Sequence, residues 1–220
     1  MHKTIPDSVV DALLSLLAEK AWEDISLSEI AGRAGLGLAD LREAADGKLA
    51  IIAAFQRRID RAVLEDVGAG EEDGDSHRDR LFDIAMRRFD RLMPHRRALA
   101  HLAKSAARDP VLAVALNALS LVSARYMLTA AGLSSNGVRG IARAQGLIVI
   151  LARVGTVWSE DGDPDQSRTM AALDKALDRA ETWDRRAGRV ADRACRVARR
   201  FGGRRSRAAQ APRAEAASAG

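Results

Sequence analysis

Within SLSEIAGRAGLGLADLREAADGK, residues 26–48, two side chains are chemically suited to nucleic acid. Arg42 can donate in a fork to a base edge or a phosphate. Lys48 is a point cation in what the spacing makes the first turn of a helix. A lysine there opposes the helix macrodipole and is expected to gain nothing locally. Beside a phosphate, however, the ammonium and the helix N-terminus act together. Ser28, Gly37, Leu38 and Ala39 complete the set that would line such a contact. Asp40, Glu43 and Asp46 share the stretch and would be repelled by phosphate, although a carboxylate can accept from cytosine. A solvated surface lysine is the plain alternative for Lys48.

Other groupings point away from catalysis. Asp161, Asp163 and Asp165 stand at calcium-loop spacing, but Gln166 occupies the position that needs glycine and Ala172 the one that needs glutamate. A loop that caps a helix accounts for them better. His95 and His101 are six residues apart, which does not align two metal ligands on one helical face. The chain has no phosphate loop, dinucleotide fingerprint or nucleophile elbow. We therefore expect no enzyme activity, no cofactor and no metal.

The elements that must position these groups are helices. Hydrophobic residues make up 47% of the 220 and aromatic residues 4%, and no run alternates apolar with polar long enough to compete with the 3.6-residue period. The fold class is all-α. Asp7 precedes a first helix with Val10, Leu13, Leu14 and Leu17 at helical spacing. Ser26 and Glu29 form a capping-box pattern for a second, and Gly35 stops it. A short third helix starts near Leu38, and a long fourth carries Leu49, Ile52, Phe55, Ile59, Val63 and Val67. The glycine-rich acidic stretch 68–76 is a loop and a boundary. Beyond it, helices begin near Arg78, Pro94 and Pro110, the last behind Asp109 as N-cap and ending at Gly132. A long helix spans about 137–158, where Gly140, Gly146 and Gly155 call for another backbone packed close by. A final one follows Asp163, Pro164 and Gln166, read as N-cap, first-turn proline and capping-box partner.

Leu27 to Lys48, with Ile30, Ala31, Gly35, Leu41 and Lys48 on the pattern, resembles the reading head of the TetR family of bacterial transcriptional regulators. The chain departs from that pattern at Gly37, Arg42, Ala44 and Ala45, where the family usually has serine or threonine, tyrosine, and a histidine or tyrosine followed by phenylalanine. The resemblance implies a TetR-like architecture. A helix-turn-helix domain (1–67) would be followed by a ligand-binding and dimerisation bundle (77–182). It also implies DNA as partner, a homodimer paired through 137–158 and 163–181, and a small apolar effector. The C-terminal half, with VGTVWSEDGDP and TMAALDKALDR, also resembles the lipid-binding accessory family of coenzyme Q (ubiquinone) biosynthesis. That implies a TetR-like fold, a lipid-like ligand and work at a membrane surface without specific DNA binding.

A helical bundle of this size should enclose an apolar pocket. Phe89, Met93, Tyr126, Met127 and Trp158 are the candidate linings, each also explicable as plain core. The net charge of +5 is unevenly spread. Residues 1–60 hold 7 Lys/Arg against 10 Asp/Glu, residues 61–182 hold 17 of each, and residues 183–220 hold 11 against 3. In that last segment Trp183 and Phe201 end an apolar stripe opposite Arg186, Arg189, Arg193, Arg196 and Arg200. It reads as a helix for an anionic membrane surface, with docking on the body and nonspecific nucleic-acid attachment as alternatives. Cys195, the single cysteine, sits on the apolar stripe. One cysteine, no early apolar leader and a longest charge-free run of only Pro110 to Ala124 together suggest a cytoplasmic protein.

Overall fold

The computed structural model describes residues 5–68 and 76–182, and within them there are helices and no strand. In order these are α1 (Asp7–Glu19), a 3-10 turn (Trp22–Asp24), α2 (Leu27–Arg33), α3 (Leu38–Ala44), α4 (Lys48–Gly68) and α5 (His77–Leu92). A second 3-10 turn (Met93–His95) leads into α6 (Arg96–Ala106), α7 (Pro110–Ala130) and α8 (Gly137–Glu160). Residues 167–182 are helical and are called α9 here. Of the described residues, those up to Leu177 form one compact unit and 178–182 group separately.

Local chemistry sets most of the ends. The Ser26 hydroxyl accepts from the Glu29 N–H at 3.2 Å, and the Glu29 carboxylate accepts from the Ser26 N–H at 2.9 Å, so both orphan donors at the start of α2 are satisfied. Asp109 accepts from the N–H groups of Val111 and Leu112 at 2.8 and 3.1 Å and starts α7. Gly132, at φ +75°, ends it in the left-handed conformation, and the Leu133 N–H returns to the Leu128 carbonyl at 2.8 Å. Pro94 falls inside the second 3-10 turn, so α6 starts two residues later than the proline suggests.

Three expectations are corrected. Gly140 does have backbone against it, since a Cβ there would come within 2.1 Å of the Ser135 carbonyl carbon, but Gly146 and Gly155 face open space in this chain. Gln166 is no capping-box partner; it takes φ +51° and its buried amide donates to Asp90 at 2.5 Å. Asp161 supplies the buried anchor instead, accepting from the Thr169 N–H at 2.9 Å and its hydroxyl at 2.7 Å, with the hydroxyl bond the main cause of its depressed pKa. The charge-free run also understates α7, which continues past Arg125 to 21 residues. α7 and the 24-residue α8 are long and apolar enough to cross a membrane by length and composition. Both are also packed within the bundle, α7 against α4, α5, α6 and α8.

The core runs through the compact unit without a break. Val9, Leu13 and Leu17 of α1 bury completely with Ile30, Leu41 and Ile51 close to zero exposure beside them. Truncating a leucine in such a site costs about 2–5 kcal/mol. α4 then carries the core from the head into the bundle, through Phe55, Ile59 and Val63, to meet Ile84, Phe89, Met127, Leu147 and Trp158. A nearly buried ion pair joins Asp60 of α4 to Arg88 of α5, and the Ser123 hydroxyl of α7 donates to the second Asp60 oxygen at 2.6 Å.

Candidate nucleic-acid interface

The turn between α2 and α3 is built by backbone. Gly35 takes φ +70°, and the Leu36 N–H reaches back to the Ala31 carbonyl at 2.9 Å, closing the end of α2. Gly37 has no side chain with which to cap α3, so half the work passes to Asp40, whose carboxylate accepts from the Gly37 N–H at 3.3 Å. Leu41, 2% exposed, anchors α3 in the core and turns the opposite face outward. Ser28, Gly37, Leu38, Ala39 and Arg42 all stand exposed, Leu38 by 54%. The first turn of α3 is therefore presented to solvent as a reading helix requires.

Its electrostatics are unusual. Between residues 5 and 56 there are four Lys/Arg against nine Asp/Glu, and each of the four cations has an internal partner. Lys20 pairs with Glu29, Arg33 with Glu19 through two bonds at 2.8 and 3.0 Å, and Arg42 with Asp46 at 2.6 Å. The Lys48 ammonium donates to the backbone carbonyls of Trp22 and Ile25 at 2.6 and 2.9 Å and lies 4.5 Å from the centre of the Trp22 ring. Lys48 thus gains a good deal locally, and the expectation that it gains nothing is corrected. It ties the start of α4 to the loop between α1 and α2. The sequence carried no signal for Trp22 as its partner.

The pKa values follow. Lys20, then the Ser26 N–H and hydroxyl, hold the Glu29 carboxyl down to about 2. Glu19 is lowered by its bonds to Arg33. Burial lowers Lys48, and the nearby Glu23 and Asp24 pull it back up.

No family model and no curated protein matches the sequence. Solved structures do match the fold. A TetR transcriptional regulator from Nitrosomonas europaea is 21% identical, with 80% of this chain and 97% of that one covered at a TM-score of 0.61. One from Rhodococcus sp. RHA1 is also 21% identical, covering 78% and 93% at 0.54. A fatty acid degradation regulator from Bacillus halodurans is 18% identical, again 78% and 93% at 0.54. The chain has the TetR-like fold.

In this TetR-like chain the five apolar candidates do not surround one cavity. Phe89 and Trp158 pack on each other with ring centres 5.6 Å apart, both nearly buried. Met127, also buried, and Tyr126, 57% exposed, border a crevice beside Asp60, Arg88 and Ser123 that has no room for a water molecule. Met93, half-buried, borders a separate groove on α6. Asp161 and Asp163 turn their carboxylates to Thr169, Ser167 and nearby N–H groups. The tail candidates Trp183, Arg186, Arg189, Arg193, Arg196 and Arg200, and Cys195 with them, lie outside the described residues.

Sequence reading missed the ties between the head and the bundle. His101 Nδ1 donates to the Leu17 carbonyl at 2.8 Å, the Ser105 hydroxyl donates to Glu23 at 2.8 Å, and the Trp22 N–H donates to Ser105 at 3.2 Å. His95 packs edge-on against Phe55 at 5.1 Å. Its pKa is lowered by burial first and then by Arg58, while Asp11 opposes. Each bond spans about eighty residues of sequence, a distance over which no local pattern operates.

Proposed function

We propose that this TetR-like protein is a cytoplasmic, homodimeric transcriptional regulator that reads DNA through α3 and answers to a small molecule. The observation that carries this is the α2–turn–α3 unit with Leu38, Ala39 and Arg42 outward over a buried Leu41. The Arg42–Asp46 pair is 74% and 87% exposed, so opening it to meet a base or phosphate costs little. A head of this charge gains little from unspecific attraction to DNA. It binds chiefly where base contacts match.

Pairing is supported by the outward face of α8, where Val138, Ile141 and Val149 are exposed and Gly146 is open to a close neighbour. α7 adds Val111, Val114 and Val122 alongside. α9 offers mainly Arg168, Asp174, Lys175, Asp178 and Arg179 to solvent, so α7 is a better companion to α8 than the 163–181 segment. The second reading, a lipid-binding accessory protein at a membrane surface, rests only on the head's acidity disfavouring DNA.

The test is binding of the full chain to the duplex upstream of its own gene and to a scrambled duplex at about 0.1 M salt, where unspecific attraction is partly screened. A preference of roughly a thousandfold for the native duplex is expected of a sequence reader. Equal, weak binding rejects DNA reading and leaves the lipid reading.

A further inference from the structure

A groove of about 490 Å³ runs along α6, open to solvent on one side. Met93, Arg96, Arg97, Ala100, His101 and Lys104 form most of its wall, and Ser159 in the last turn of α8 contributes to it. No carboxylate lines it. Arg97 and Lys104, seven residues apart on one face of α6, make no ion pair or hydrogen bond with any described residue. His101 uses Nδ1 on the Leu17 carbonyl, so Nε2 is the ring nitrogen left for a ligand. Arg96 donates to the Asp161 carbonyl at 2.7 Å and lies over the Trp158 ring at 5.0 Å. Behind the wall, Arg96 Nε and Trp158 Nε1 are buried donors that meet no acceptor.

A concave surface of one sign, backed by low-dielectric protein, concentrates its potential. Here that potential is positive, donors outnumber acceptors, and Met93, Pro94 and Ala100 add an apolar strip. An inorganic ion would leave the strip uncovered, and a neutral lipid would leave the cations unmatched. We infer that this groove binds a small organic anion, a carboxylate or phosphate head on a short apolar body. The inference rests on the reading above that the bundle takes a small-molecule effector, and it changes the class of that effector from apolar to anionic. Only Met93 is shared with the five apolar candidates.

The experiment titrates the full isotope-labelled chain with octanoate, octanol and octylamine and follows backbone amide shifts. Octanoate is expected to move the amides of residues 93–104 and to bind at least tenfold more tightly than octanol, with octylamine weaker still. The Arg97→Glu/Lys104→Glu double variant is expected to lose at least tenfold in octanoate affinity, and Arg97→Gln/Lys104→Gln an intermediate amount. Octanol binding as tightly as octanoate, shifts confined to other helices, or unchanged affinity in both double variants would each overturn the inference. The same variants are assayed on the native duplex. A drop in DNA affinity without a change in octanoate binding would identify the two cations as phosphate contacts, and would also overturn it. Wild-type protein that reads its duplex but ignores octanoate removes this ligand class and leaves the regulator standing.

Discussion

The reading head and the α6 groove hold cations of the same kind in opposite circumstances. In the head, Lys20, Arg33, Arg42 and Lys48 are all engaged within the chain, where an anionic duplex is the proposed partner. In the groove, Arg97 and Lys104 make no ion pair or hydrogen bond with any described residue, and Glu19 acts on Arg97 only through its field, although nothing in the sequence around them suggested a ligand. A count of positive residues therefore says little about where an anion will be held. Availability depends on which carboxylates and carbonyls the fold brings within reach, and a paired cation must first give up its partner.

Five changes would break or sharpen that contrast. The largest effect is expected where a charge is engaged and nearly buried. Arg88→Met leaves Asp60 without its partner and should lower stability by about 3 kcal/mol, read by urea unfolding; a loss within error would mean that water already reaches the pair. Lys48→Met comes next. It removes two charge-assisted bonds and the contact with Trp22, and should cost about 2 kcal/mol. An unchanged melting temperature combined with lost DNA affinity would return Lys48 to the phosphate role.

A smaller effect separates the two regions by pH. Glu29, held at about 2, contributes stability that is full above its ordinary 4.5 and is lost as pH falls toward 2. Glu29→Gln should flatten the acid side of the stability curve in that window. His95 acts earlier, because a histidine with a lowered pKa favours the folded state above 6.5 and loses that advantage as pH falls toward its folded value. His95→Leu should remove that first step and leave the Glu29 step in place. Smallest of all, Arg42→Ala should leave stability unchanged while weakening specific DNA binding about tenfold, the loss of one good base contact. A destabilised Arg42→Ala protein would show that the exposed pair with Asp46 has a structural role.

Much of the fold was legible because its signals are local. The capping box at Ser26 and Glu29, the N-cap at Asp109 and the stop at Gly132 each need only neighbours within a few residues, and all three formed as read. Gln166 failed because its side chain found Asp90, seventy-six positions away, and its backbone took a left-handed turn to reach it. Met170 shares the apolar spacing of Leu173 and Leu177 on α9 yet lies 36% exposed, while Thr169 beside it is buried on Asp161. Periodicity marks an apolar face without saying how far a neighbouring helix extends to cover it.

The sequence by itself determined the helices, their order and an α3 with few groups for a phosphate, since propensity, capping and apolar spacing are properties of short stretches. Tertiary structure decided which charges are usable. Lys48 became a tie to Trp22 and Ile25, Asp60 was closed by Arg88 and Ser123, and Arg97 with Lys104 was left facing a cavity. Coulombic and hydrogen-bond partners lie wherever the packed helices place them, and that placement follows from burying one continuous core.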